Sequence, residues 1–162
     1  MIPAHVGNSH WCFCVAFVQE RRIQYYDSMG GSGLRFMRGL QRWLKDEACK
    51  SSLVRRDASV AHLLDVENWT LTTTTEDTPL QNNGYDCGVF TCMFASYISA
   101  DLPLNFSCCD MPRFREEITW NILHGRVDIP AARLSAPTAP KVSVSTRASL
   151  QGGVRKIAIS RK

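Results

Sequence analysis

A cysteine stands where a polar loop leads into an apolar stretch of the chain. Residues 84–88 read GYDCG, and apolar side chains dominate the next ten positions, which predicts a helix that starts at about Cys87. The first turn of a helix offers free backbone N–H groups and the positive end of the helix dipole, which favour a thiolate. A thiol with a depressed pKa is a nucleophile, and Gly88 leaves the approach to this sulfur uncrowded. Cys92, one turn further along and flanked by apolar residues, is predicted to be structural.

A nucleophilic cysteine needs a base, a group that orients the base, and donors for an oxyanion. His10 and Asp27 lie near opposite ends of a segment that predicts a β-hairpin, so folding brings both to its open end. Asp27 would hold the imidazole tautomer and stabilise the imidazolium. Gln81, six residues before Cys87, can turn its amide toward the sulfur. Each residue alone is a weak signal, because a single His at a strand start is more often a surface or packed residue and a single loop Gln usually has no such role.

The elements that must position these residues form an α+β pattern. Two apolar stretches rich in aromatic and β-branched residues predict strands at 10–18 and 23–28, and a short alternating stretch predicts another at 69–73. Helical spacing predicts helices over about 34–49, from about 87 through 98, and over about 112–124, where Phe114, Ile118 and Ile122 would form the inner face. Residues 51–68 are ambiguous, and 76–86 read as a loop. Three other histidines lack a carboxylate placed by a hairpin and are expected to be structural or surface residues: His5, His62 and His124.

The positive charge of the chain is concentrated at its C-terminal end. Residues 131–162 carry seven basic side chains and no acidic one, so subtracting +7 from the whole-chain +4 leaves −3 for residues 1–130. The basic stretch is rich in Ser, Thr, Pro and Ala and has no aromatic residue, which predicts disorder. We therefore expect one domain over 1–130, resembling a mildly acidic enzyme or binding domain, and a tail over 131–162. That tail is either simply solvated or makes weak contacts with nucleic acid, an anionic surface or an import receptor.

The seven cysteines do not have the spacing of a secreted disulfide scaffold, and no second ligand pair at CxxC or HxxxH spacing accompanies them. We expect neither a metal nor a cofactor. The N-terminal residues do not resemble a signal peptide, and no segment approaches the ~20 apolar residues of a membrane span. These features predict a reducing compartment, the nucleus or the cytoplasm.

Three segments together resemble the sentrin/SUMO-specific (Ulp-type) cysteine protease family. They are HW at 10–11, YDSM at 26–29 and PLQNNGYDCGVF at 79–90, and the resemblance covers about residues 1–126. It implies a papain-like fold, a triad of His10, Asp27 and Cys87, and Gln81 in the oxyanion hole. It also implies cleavage of SUMO precursors and of SUMO–lysine isopeptide bonds, with SUMO or another ubiquitin-like protein and its conjugates as partners.

Trp11 matches a family tryptophan that helps to clamp the Gly-Gly tail of the modifier. A flat ring beside the triad admits glycine and excludes residues that carry a Cβ, which explains glycine specificity on physical grounds. The alternative is that Trp11 is a core aromatic of the hairpin.

Family catalytic domains carry a substantial segment before the position of His10, which here comes almost at once. The expectation is thus a domain truncated at its N-terminus. Two further readings stay open: a catalytically impaired fragment or modifier-binding module, and a protease for a NEDD8-like modifier.

Overall fold

The computed structural model describes residues 1–51 and 65–125. The predicted tail at 131–162 and most of the ambiguous segment at 51–68 lie outside the described residues. In chain order the elements are strands β1 (Ile2–Val6), β2 (His10–Phe17) and β3 (Arg22–Tyr26), helix α1 (Leu34–Lys50), strand β4 (Thr70–Thr72), helix α2 (Cys87–Ser99), a short 3-10 helix (Cys108–Asp110) and helix α3 (Met111–His124). The α+β pattern is confirmed, and the predicted helices begin within a residue of the observed ones.

The strands form one four-stranded sheet in the order β1-β2-β3-β4. The first three strands are antiparallel, and β4 runs parallel to β3. In the β2–β3 ladder Phe13 is opposite Tyr26 and Cys14 is opposite Tyr25. This register brings the beginning of β2 next to the end of β3, which confirms the predicted hairpin.

Because successive strand residues point to opposite faces, β2 contributes to two separate cores. Phe13 and Val15 face α2 and α3, where they join a cluster of aromatic and methionine side chains. Cys12 and Cys14 face α1 and join a second cluster around Ile23. The sheet therefore separates the two cores. His10 and Asp27 lie at the end of the sheet where β2 begins and β3 ends.

Glycines with positive φ shape two helix ends. Gly33 precedes α1 with φ 58, and its Cα packs against the Tyr25 ring so closely that an added Cβ would overlap the ring. Gly125 ends α3 with φ 63, in the left-handed conformation that glycine adopts without strain.

The predicted inner face of α3 is correct only in part. Phe114 is fully buried and Ile118 packs against the same core, but Ile122 is 74% exposed. The core cluster reaches only the first turns of α3, so helical periodicity alone overextended its buried face. In the part of the chain that the structure describes, none of the helices combines the length and the apolar character needed to span a bilayer.

Candidate active site

The predicted base and its orienting carboxylate are hydrogen-bonded. His10 is the first residue of β2 and Asp27 directly follows β3, so the β2–β3 ladder places them side by side. The His10 Nε2 atom lies 2.6 Å from Asp27 Oδ1, and Asp27 is only 5% exposed. With Nε2 paired to the carboxylate, Nδ1 is the ring nitrogen that can exchange a proton with a thiol.

Two neighbours fix the Asp27 carboxylate. The backbone N–H of Met29 donates to Oδ1 at 2.7 Å. Gly31 lies against Oδ2, and a Cβ at that position would overlap the oxygen. A side chain at position 31 would therefore push the carboxylate out of its place beside His10.

Cys87 is the first residue of α2, as the sequence predicted, and is almost fully buried. The start of α2 lies against the start of β2: a Cβ on Gly88 would stand 3.9 Å from Trp11 Cδ1. Burial raises the pKa of the nearby Cys12 thiol to about 12, and the negative charges of Asp27 and Cys87 raise this pKa further. A hydrogen bond with Tyr25 acts in the opposite direction and lowers it. Cys87 and Asp27 are thus both close enough to Cys12 to act on it electrostatically.

A hydrogen-bonded loop holds Cys87 in place. The side-chain oxygen of Asn83 accepts from the backbone N–H groups of Tyr85 and Asp86, both at 3.1 Å, and its amide donates to Asp86 Oδ2 at 2.7 Å. From α3, Arg115 donates to Asp86 Oδ1 at 2.5 Å. Burial tends to raise the pKa of Asp86, but the hydrogen bonds from Asn83 and Arg115 outweigh it and hold that pKa below its usual value.

Sequence reasoning missed this support. An Asn three residues before an Asp is typical of a side-chain-stabilised turn and could have indicated the Asn83 contacts. Nothing local indicates Arg115, because it follows Asp86 by 29 residues and reaches it only through the packing of α3 on α2.

Gln81 connects the two halves of the site. Its backbone N–H donates to the Ser28 carbonyl at 2.8 Å, and its Oε1 accepts from the Ser28 hydroxyl at 2.6 Å. Its Nε2 donates to the Asn83 carbonyl at 2.5 Å. An amide has two N–H donors, so the second one can serve an oxyanion. Ser28 directly follows Asp27, which makes this contact a bridge between the β3 end and the loop before Cys87.

Trp11 is not a core residue. It is 41% exposed and points to the opposite face of β2 from His10, toward Gly88. Its ring stacks on His5 across the β1–β2 ladder, with centroids 4.5 Å apart. This contact gives His5, which the sequence left without a specific role, a part in orienting Trp11.

The interpretation of Cys92 as a structural cysteine is wrong, because Cys92 is exposed on α2. Apolar neighbours in sequence do not tell which side of a helix packs.

Cys12, by contrast, lies inside the site: its Sγ, a ring nitrogen of His10 and a carboxylate oxygen of Asp27 all lie within 4.8 Å of one another. The apolar pattern of the strand around Cys12 does not indicate this contact.

Comparison with known proteins assigns the family. The sequence model of one family, described as the Ulp1 protease family, C-terminal catalytic domain, matches residues 1–126 of the chain. The chain belongs to this family. The match has the extent that the sequence resemblance predicted, and the fold is of the papain-like α+β type.

Relatives and solved structures agree with this assignment. Human sentrin-specific protease 2 is 37% identical over 125 residues, a match that covers 76% of this chain and 20% of that protein. The Arabidopsis thaliana ubiquitin-like-specific protease ESD4 is 33% identical over 127 residues, covering 78% and 24%. The yeast C-terminal Ulp1 protease domain, solved in complex with the SUMO orthologue Smt3, is 28% identical with a TM-score of 0.56, and the match covers 76% of this chain and 51% of that one. This Ulp1-family chain therefore spans about half of the solved domain and about a fifth to a quarter of the two curated relatives.

Proposed function

We propose that this chain is the part of a SUMO-cleaving cysteine protease that carries the catalytic residues, with Cys87 as nucleophile, His10 as base and Asp27 as the group that orients it. The observation that carries the proposal is the 2.6 Å His10–Asp27 pair at the sheet end against which α2 begins with Cys87. A hydrogen-bonded imidazole–carboxylate pair beside a thiol at a helix start has the parts of a thiol protease.

In the proposed reaction, the Cys87 thiolate attacks the carbonyl carbon of the last glycine of the modifier. His10 has taken the thiol proton on Nδ1, and Asp27 stabilises the resulting imidazolium through Nε2. The negative charge on the carbonyl oxygen is stabilised by the Cys87 backbone N–H and the second N–H of the Gln81 amide. His10 then protonates the leaving amine, which is a peptide nitrogen in a precursor and a lysine Nζ in a conjugate.

The second half of the reaction returns the enzyme to its starting state. Water attacks the thioester carbonyl while His10 accepts one of its protons, and the C–S bond breaks to release the Cys87 thiolate. The modifier leaves with a free C-terminal carboxylate, and the second proton of the water passes to solvent. Every proton passes between Cys87, His10, substrate and water, so the proposed reaction needs no cofactor.

Trp11 gives the proposed site its preference for glycine. Its exposed ring lies beside Gly88 at the beginning of α2, where an extended chain approaching Cys87 would pass. A residue with a Cβ next to the scissile bond would collide with the ring, whereas Gly-Gly passes. We propose that SUMO or a similar ubiquitin-like protein and its conjugates are the partners, and that the protein works in the reducing nucleus or cytoplasm, where Cys87 is not oxidised to a disulfide.

The test is a reaction with SUMO that carries a vinyl sulfone in place of its terminal carboxyl group. We expect a covalent adduct on Cys87 in the native chain and none in Cys87→Ser, detected as a mass increase of the intact protein. A NEDD8 vinyl sulfone run in parallel should react more slowly. Faster reaction with the NEDD8 reagent would show a protease for the other modifier, and SUMO binding without an adduct would show a binding module.

A further inference from the structure

One nucleophilic group in the site, the Cys12 thiol, has no role in the proposed reaction. Cys12 is 1% exposed, and it lies on the same face of the sheet as His10, because the two are alternate residues of β2. The three potential ligand atoms lie within 4.8 Å of one another. Imidazole nitrogen, thiolate sulfur and carboxylate oxygen are the donor atoms that zinc prefers in proteins.

We propose that His10, Cys12 and Asp27 form a zinc site in which Zn²⁺ takes the place of the proton that His10 shares with Asp27. The spacing rules for zinc motifs do not reveal it, since two ligands are alternate residues of one strand and the third comes from the next strand.

The geometry needs only small adjustments. Tetrahedral zinc with bonds of about 2.0–2.3 Å holds its ligand atoms roughly 3.4–3.8 Å apart. The His10–Asp27 pair must open by about 1 Å from its present 2.6 Å, and no other pair in the cluster, all within 4.8 Å, needs to close by more than about 1.4 Å. Rotation of the His10 ring and of the Asp27 carboxyl group supplies such movements. The fourth position is left for water.

Zinc binding displaces a proton from Cys12 and fixes the position of the proton on His10. Zinc displaces the thiol proton of Cys12, which passes to solvent, since a coordinated thiol is deprotonated by the metal even when burial favours its neutral form. On His10 the metal occupies the Nε2 lone pair, so the single remaining proton of the neutral ring resides on Nδ1.

The proton held on His10 Nδ1 would prevent the proposed reaction. An imidazole with zinc on Nε2 and a proton on Nδ1 has no lone pair to accept the proton of Cys87. Zinc at this cluster would thus disable the base without touching the nucleophile. This inhibitory effect rests on the proposed function, whereas the binding of zinc does not.

The experiment measures metal binding by the whole 162-residue chain, purified free of metal. Zn²⁺ affinity is obtained by competition with a chromophoric chelator, and Co²⁺ serves as a spectroscopic stand-in whose thiolate charge-transfer band reports a sulfur ligand. In Cys12→Ser we expect the affinity to fall by about 100-fold or more and the charge-transfer band to disappear, because loss of a direct ligand exceeds the 10–100-fold effect of outer contacts. Cys14→Ser, the matched control two residues along the same strand, should bind within about threefold of the native chain.

Two further variants keep the result interpretable. Cys87→Ser should retain the cobalt band, which separates this site from one formed by the nucleophile and its base. His10→Gln should lose it, so the test does not depend on whether Cys12→Ser folds. Native-like affinity in Cys12→Ser, a band that survives His10→Gln, or loss of binding in Cys87→Ser would each overturn the proposal. Since binding is read without turnover, its failure is distinct from failure of the proposed protease function.

Discussion

The two halves of the candidate site are held together by different kinds of interaction. His10 and Asp27 belong to a β-ladder, in which the register set by Phe13 and Tyr26 fixes their separation. Cys87 belongs to a loop–helix junction that depends on side-chain hydrogen bonds from Asn83 and on Arg115 of a distant helix. The backbone therefore positions the proposed base, and side chains position the proposed nucleophile.

This difference has a practical consequence. A ladder is secured by many backbone hydrogen bonds, so the base half should be insensitive to most single substitutions, except where a side chain enters the space of Asp27. The nucleophile half rests on a few polar side chains, so the loss of one should loosen the junction. Four substitutions test this contrast.

The largest effect is expected for Gly31→Ala, which places a methyl group against Asp27 Oδ2. Displacing the carboxylate by about 1 Å misorients His10, and misplacement of that size costs on the order of 100-fold in rate. The measurement is the rate of adduct formation with the SUMO vinyl sulfone. Gly39→Ala is the matched control, since a Cβ there meets nothing within 4 Å. Equal rates in both variants would show that Asp27 does not orient the base.

Trp11→Ala should come next, because it touches substrate alignment and leaves both halves of the triad in place. We expect roughly tenfold to 100-fold slower adduct formation, since the reacting carbonyl is no longer held in line. Affinity for the folded part of SUMO, measured by calorimetry with SUMO that ends before its glycines, should change little. A reagent ending in Gly-Ala should gain relative to Gly-Gly in the variant. If the parent chain already accepts Gly-Ala as readily as Gly-Gly, Trp11 does not set the specificity.

Arg115→Ala should have a smaller effect, on stability. Removing a charge-assisted hydrogen bond to the buried Asp86 carboxylate costs about 1–2 kcal/mol, at the lower end of the usual range because the guanidinium is half exposed. The change is read from urea unfolding. Arg113→Ala is the control, since its ion pairs with Asp110 and Glu117 lie on the surface and contribute less than about 1 kcal/mol. A larger loss in the control would contradict the role given to the Asp86–Arg115 pair.

The smallest effect is expected for Asp86→Asn, in the pH dependence of the free energy of unfolding. The folded-state pKa of Asp86 is held below its ordinary value of 3.8, so its stabilisation is present above that pH and is lost as the pH falls through the folded value. Unfolding free energies measured from about pH 5 to pH 3 should therefore decline less steeply in Asp86→Asn than in the native chain. Identical slopes would show that Asp86 does not gain from its partners.

The same contrast explains what the sequence could predict. The hairpin, the helix that starts at Cys87 and the meeting of His10 with Asp27 follow from apolar alternation, helical spacing and the position of a polar turn. The support from Arg115 and Ser28 could not be predicted, because it depends on how α3 and the loop pack. The exposure of Cys92 and Ile122 was misjudged for a related reason: periodicity shows that a helix has an apolar face but does not show how far a neighbour covers it.

The most direct test of the central claim is the rate at which each cysteine is modified by a small alkylating reagent at mildly acidic pH, followed by peptide mass spectrometry. If Cys87 is the nucleophile and His10 its base, Cys87 should be modified first among the seven cysteines, although it is nearly buried and Cys92 is exposed. His10→Ala should slow its modification on the order of tenfold or more and leave the rate at Cys92 unchanged. Modification of Cys92 ahead of Cys87, or an unchanged rate at Cys87 in His10→Ala, would contradict the assignment of nucleophile and base.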